Sequence, residues 1–202
     1  MNPHSALFQK DPVLAKLVNQ LEPLPETLSA RPLYDALLSS VISQQLSVKA
    51  AATIKSRFLA LFPKQDPNPE LLLATEPEVL RSVGLSGQKA GYLKSIAEHK
   101  AQGLLEDELL AHLPDEELLQ RLIHIKGVGR WTAEMVLMFT LNRPDVMPLD
   151  DLGIYNAMKK LYGFSEPMKQ AKPLMLEISE NWRPHRTLAC RYLWKSLDNA
   201  PA

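Results

Sequence analysis

The chain has 202 residues and carries 23 basic against 23 acidic side chains, a formal net charge of zero. That length can bury a sizeable core unaided, and a single cysteine, Cys190, excludes an internal disulfide, a thiolate zinc cage and a four-cysteine iron–sulfur site. The charge balance removes the simplest argument for a polyanionic partner, so any such partner must be held by a local arrangement. The basic excess between Lys159 and Lys195 reads, taken alone, as a solvated surface. No apolar run approaches the roughly 20 residues of a membrane span, and the N-terminus lacks a basic region followed by an apolar core. The expectation is a soluble, intracellular protein with no membrane partner.

Leucine and alanine recur at helical spacings and no segment alternates with period two, which predicts an all-α fold. Helix starts are marked by proline, often beside an acidic residue, because a first-turn amide would be orphaned anyway and the dipole favours carboxylates there. In chain order these are "DPVLAKLVNQL" from Asp11, "RPLYDALLSS" from Arg31, "NPELLLAT" from Asn68, "EPEVLRSVG" from Glu76, "PDEELLQRLIHI" from Pro114 and "PLDDLGIYNAMKKLYG" from Pro148. The stretch from Tyr34 to Phe62 is too long for one ordinary helix, and "SQQLS" at Ser43 to Ser47 predicts its break.

Near the middle, "LIHIKGVGRWTAEMVL" interrupts a helical pattern with Gly127 and Gly129 and resumes it at Arg130. Glycine permits positive φ and close approach of a ligand, and the turn ends at a helix N-terminus whose unpaired amides and dipole suit an anion. Such a turn can hold a phosphate by backbone and so reconcile a neutral chain with DNA. Gly127 as a plain C-cap in a helix–turn–helix corner is the other reading of the same glycines.

"LIHIKGVGRWTAEMVLMF", followed by "VMPLDDLGI" and flanked by "LLSSVISQQLSVKAAATI" from Leu37 and "NWRPHRTLACRYLW" from Asn181, resembles the helix-hairpin-helix DNA glycosylase superfamily. Within it the chain is similar to the compact 3-methyladenine DNA glycosylase II branch, over roughly residues 31–197. The resemblance implies two helical lobes around a cleft: one of about residues 34–140 ending in the hairpin, the other of about residues 1–33 plus 141–202. It implies a monomeric enzyme without cofactor, acting on double-stranded DNA that contains alkylated bases, in the cytoplasm and nucleoid or, in a eukaryote, the nucleus. A non-enzymatic DNA-binding module, a helical scaffold, and a glycosylase for uracil or oxidised bases are the alternatives.

By resemblance Asp151 is the catalytic carboxylate. The residues alone leave Asp150 as a competitor and allow both to be helix N-caps. Trp131 and Trp182 align with aromatic positions of the family's base pocket, and Met135 stands where some members have a tyrosine. Bifunctional members carry a lysine where this chain has Trp131, so no Schiff base forms by that route. Gly127, Val128, Gly129, Arg130 and Thr132 of the hairpin, with Gln45, are the expected DNA-binding residues. The apolar wedge expected in the "GLSGQKAGYL" turn falls at Gly87, beside Leu85 and Ser86, and departs from the family pattern. Carbonyls of His124, Ile125 and Gly127 to Gly129 are the expected seat of a structural monovalent cation, with no catalytic metal.

Overall fold

The structure is a computed structural model that describes residues 2–28 and 31–198. Helices make up its regular structure, and no strand occurs among the described residues. The chain divides into two compact units, residues 29–136 and residues 1–28 with 137–202.

The first unit holds α2 (Leu33–Ser43), α3 (Val48–Leu59), α4 (Pro69–Ala74), α5 (Pro77–Ser82), α6 (Gly87–Ala101), α7 (Asp107–Ala111), α8 (Asp115–Ile123) and the start of α9 (Arg130–Phe139). Helix α6 is its centre: α2, α4 and α5 pack against it. Leu93 and Ile96 of α6 meet a core that includes Leu37 and Val41 of α2, Leu72 of α4 and Leu80 of α5, all without solvent exposure. Each such side chain contributes about 1.5–3 kcal/mol relative to an exposed one.

The break between α2 and α3 falls inside "SQQLS". Ser43 ends α2, and Ser47 starts α3 by accepting a hydrogen bond from the amide of Ala50. Between them Gln45 lies at φ 57°, the left-handed region, a strain of order 1–3 kcal/mol for a residue with a Cβ. Lys89 of α6 offsets the exposed end of α2, its ammonium donating to the carbonyls of Ile42 at 2.8 Å and Gln44 at 2.7 Å.

The second unit comprises a 3₁₀ helix at Pro3–Phe8, α1 (Pro12–Asn19), the end of α9, α10 (Leu152–Tyr162), α11 (Met168–Glu180) and α12 (Arg186–Asp198). Helix α10 packs on both α11 and α12, and α1 packs on α10 and α12. Asp11 caps α1 through Oδ1, which accepts from Leu14 N at 3.0 Å. Gly163 ends α10 in the left-handed conformation at φ 73°, as the sequence predicts for a helix stopping there.

Candidate active site

The hairpin forms where "HIKGVG" stands. Helix α8 stops at Ile123, and α9 restarts at Arg130. Gly127 takes φ 89°, and a Cβ there would lie 2.3 Å from Cγ of Tyr92, so the ring of α6 packs directly on the glycine backbone. Gly129 is exposed, with nothing within 4 Å of where a Cβ would stand. The two glycines therefore serve different ends: Gly127 admits a neighbour from inside the protein, while Gly129 presents bare backbone to solvent.

Of the other residues expected at the hairpin, Arg130 is exposed and donates from Nε to Glu134 at 3.0 Å. Val128 and Thr132 have buried side chains. The Val128 amide donates to the Ile125 carbonyl at 3.0 Å.

Gln44 donates from Nε2 to the Gly127 carbonyl at 2.9 Å, which fixes the α2–α3 turn to the hairpin. That turn and α9 line a cavity of about 530 Å³ whose wall includes Gln44, Gln45, Leu46, Trp131, Thr132 and Met135. The volume lies in the range of small-molecule sites. Trp131, 45 % exposed, contributes an indole to that wall. Leu46 is a residue that the sequence reading missed: it is exposed and apolar, next to Gln45 in the same wall. Its signal was a lone leucine inside the polar break. The expected "GLSGQKAGYL" turn does not supply a wedge, because Leu85 is buried, Ser86 caps α6 and Gly87 begins it.

The second unit carries the carboxylate. Asp151 is 7 % exposed and caps α10, its Oδ1 accepting from Ile154 N at 2.8 Å. The same oxygen accepts from Nε1 of Trp194 on α12 at 2.9 Å. Asp150 is an exposed neighbour paired with Lys172. The segment leading to Asp151 is gripped by the start of α12. Arg186 binds both carboxylate oxygens of Asp145, at 2.8 and 3.0 Å, while Thr187 donates to the Arg143 carbonyl at 2.6 Å and accepts from Val146 N at 3.1 Å.

Trp182 corrects an expectation. Its ring has no solvent exposure and its Nε1 donates to Oδ2 of Asp11 at 2.8 Å, where Tyr162 also donates at 2.6 Å. With the indole enclosed and its N–H committed, Trp182 offers no face to a base. The tryptophan of "NWRPHRTLACRYLW" that reaches the carboxylate is Trp194. Burial, then the Asp11 hydrogen bond and charge, push the Tyr162 phenol far above the ordinary tyrosine range.

No group of three His, Cys, Asp or Glu side chains could hold a metal among the described residues. A cation at the hairpin would be held by main-chain carbonyls. Those of Ile125, Gly127 and Gly129 each accept one hydrogen bond here and retain a second lone pair that such an ion could use.

The profile of the "HhH-GPD superfamily base excision DNA repair protein" family matches residues 38–184. The chain is 43 % identical over 185 residues to DNA-3-methyladenine glycosylase 1 of Schizosaccharomyces pombe, covering 91 % of this chain and 80 % of that one. Among solved structures it is similar to the S. pombe 3-methyladenine DNA glycosylase in complex with abasic DNA, with TM-score 0.79, 41 % identity and coverage of 97 % of this chain and 95 % of that one. It is also similar to a DNA-3-methyladenine glycosidase from Bacillus halodurans, with TM-score 0.87, 33 % identity and coverage of 98 % and 90 %. Hairpin, carboxylate and these likenesses converge: the chain belongs to the HhH-GPD superfamily of base excision DNA repair proteins.

Proposed function

We propose that the chain is a monofunctional DNA glycosylase that hydrolyses the N-glycosidic bond of alkylated purines, 3-methyladenine and 7-methylguanine among them, in duplex DNA. The observation that carries this reading is the nearly buried Asp151 carboxylate, its Oδ1 held by Ile154 N and the Trp194 indole, in a chain so similar to 3-methyladenine glycosylases.

Hydrolysis breaks the bond between C1′ and the purine nitrogen, and the bonding pair leaves with the base. Methylation of a ring nitrogen has already made that base cationic, so it departs neutral and needs little acid catalysis. Positive charge builds on the sugar, and a fixed carboxylate stabilises it while orienting a water for attack on C1′ and accepting its proton. An extruded cationic base is recognised by stacking on an electron-rich ring. Trp131 supplies that ring and Met135 a polarisable neighbour. Gln45 and Leu46 project from the strained turn as the groups that fill the gap in the duplex. Gly129 and Arg130 meet the phosphate backbone, with a monovalent cation at the hairpin carbonyls adding charge there. Catalysis leaves an intact strand with an abasic site because Trp131 provides no amine for a Schiff base. The enzyme acts as a monomer, in the cytoplasm and nucleoid or in a eukaryotic nucleus.

The test is incubation of wild-type protein and Asp151→Asn with methylated duplex DNA, with chromatography of released bases and analysis of strand breaks. Release of 3-methyladenine by the wild type alone, with breaks only after alkali, is expected. Duplex binding without release by either protein would replace the enzyme with a binding module, and breaks without alkali would overturn the monofunctional assignment.

A further inference from the structure

Gly153 lies in the first turn of α10, two residues after Asp151, where alanine would be the better helix former. It does not have positive φ, so conformation is no reason for it. Its surroundings supply one. A Cβ on Gly153 would stand 2.9 Å from both Cδ1 and Nε1 of Trp194 and 3.1 Å from Oδ1 of Asp151. The bare backbone is what lets the indole lie against the turn and deliver its N–H to the carboxylate.

We propose that Gly153 and Trp194 are positioning residues for Asp151, which hold Oδ1 of its carboxylate in place for the hydrolysis proposed above. The inference rests on that reading for its catalytic meaning, while its geometry stands apart from it.

The Ile154 amide reaches Oδ1 of Asp151 from the first turn of α10. The Trp194 indole reaches the same oxygen from another helix, so α10 and α12 converge on Oδ1. At Asp11, the other buried aspartate cap, the cap amide goes to Oδ1 and the side-chain donors of Tyr162 and Trp182 to Oδ2. Helix α12 is well placed to locate the indole. At its start Arg186 and Thr187 grip residues 143–146, and two turns later Trp194 reaches Asp151, so one rigid helix sets both ends of the segment that presents the carboxylate. Phe139 also packs on the indole, ring centroids 5.7 Å apart.

Trp194→Phe removes the N–H and keeps an aromatic face, whereas Gly153→Ala keeps the N–H and displaces it. The two variants and their combination are compared with wild type and Asp151→Asn by single-turnover release of 3-methyladenine, by affinity for duplex containing a reduced abasic-site analogue, and by thermal midpoint. Exchange of the Trp194 indole proton is followed by NMR in wild type and Gly153→Ala.

Each single variant is expected to slow release about tenfold to a hundredfold with DNA affinity unchanged. Gly153→Ala should cost less in the Trp194→Phe background, because the smaller ring leaves room for the methyl group and residues in contact couple; a loss of release with thermal midpoint and DNA affinity near wild type separates positioning from a merely structural effect. Indole exchange should accelerate by about tenfold or more in Gly153→Ala. Wild-type rates in both single variants, additive losses, or unchanged indole exchange would each overturn the proposal. A wild type that releases no base would instead sink the glycosylase reading, with the indole exchange still deciding whether Gly153 seats Trp194.

Discussion

Gln44 donates to the main-chain carbonyl of Gly127, 2.9 Å away and 83 residues later in the chain. The break in the first long helical stretch and the glycine hairpin are thus one mechanical assembly, completed by Lys89 on the carbonyls of Ile42 and Gln44.

Gln44→Ala removes that tie. One hydrogen bond of ordinary net strength is worth about 0.5–1.5 kcal/mol, so affinity for abasic duplex should fall about twofold to tenfold. Fluorescence anisotropy titration measures it, and unchanged affinity would mean that the turn and hairpin bind independently.

The hairpin glycines should separate stability from binding. Gly127→Ala places a methyl group on the Tyr92 ring at a positive φ and should cost about 2–4 kcal/mol of stability, from overpacking and backbone strain together. Gly129→Ala has open space around it. Its urea midpoint should stay near wild type while DNA affinity drops, since the methyl group stands where a phosphate approaches. Equal effects of the two on stability would refute the division of labour.

Trp182→Phe takes a donor from the buried Asp11 carboxylate and should lower stability by about 1–3 kcal/mol. The single-turnover rate of the folded protein should not change. Chemical denaturation and base release, measured on the same preparation, decide whether Trp182 is a core residue.

Alkaline pH should unfold the protein through two tyrosines. Tyr34 is buried, its hydroxyl donating to the Pro67 carbonyl at 2.8 Å. Burial first, then the charges of Asp35, Asp66 and Glu70, raise its phenol far above the usual range, as burial and Asp11 do for Tyr162. In the unfolded chain both phenols ionise near pH 10. With folded values above unfolded ones, this stability is complete below about pH 10 and is lost as pH rises beyond it. Tyr162→Phe should flatten the decline, followed by urea midpoints across the alkaline range.

Much of the local structure was legible in the sequence because its causes are local. "SQQLS" puts polar residues and a capping serine between apolar stripes, and α2 ends and α3 begins there. Gly127 and Gly129 stop one helix and free the start of another, and "LDDL" caps α10 with its second aspartate. What sequence could not assign depended on distant partners. Trp182 and Trp194 share one short segment, yet the first is claimed by Asp11, 171 positions away, and the second by Asp151, 43 positions away. Nothing within the segment distinguishes them. Leu46 stayed hidden for a related reason: an apolar residue in a turn reads as ordinary until the strained backbone beside it shows which way the turn projects.

The commitment of cations to internal partners bears on how such a protein searches a genome. Arg183, Arg186, Lys172 and Lys89 all hold carboxylates or carbonyls of the chain itself, and the formal charge is zero. In the proposed mode, with duplex held largely at the hairpin backbone, few condensed ions are displaced, and the logarithm of affinity should fall only gently with the logarithm of salt concentration. Discrimination between ordinary and damaged duplex should then depend on the extruded base more than on long-range charge, whatever the ionic strength.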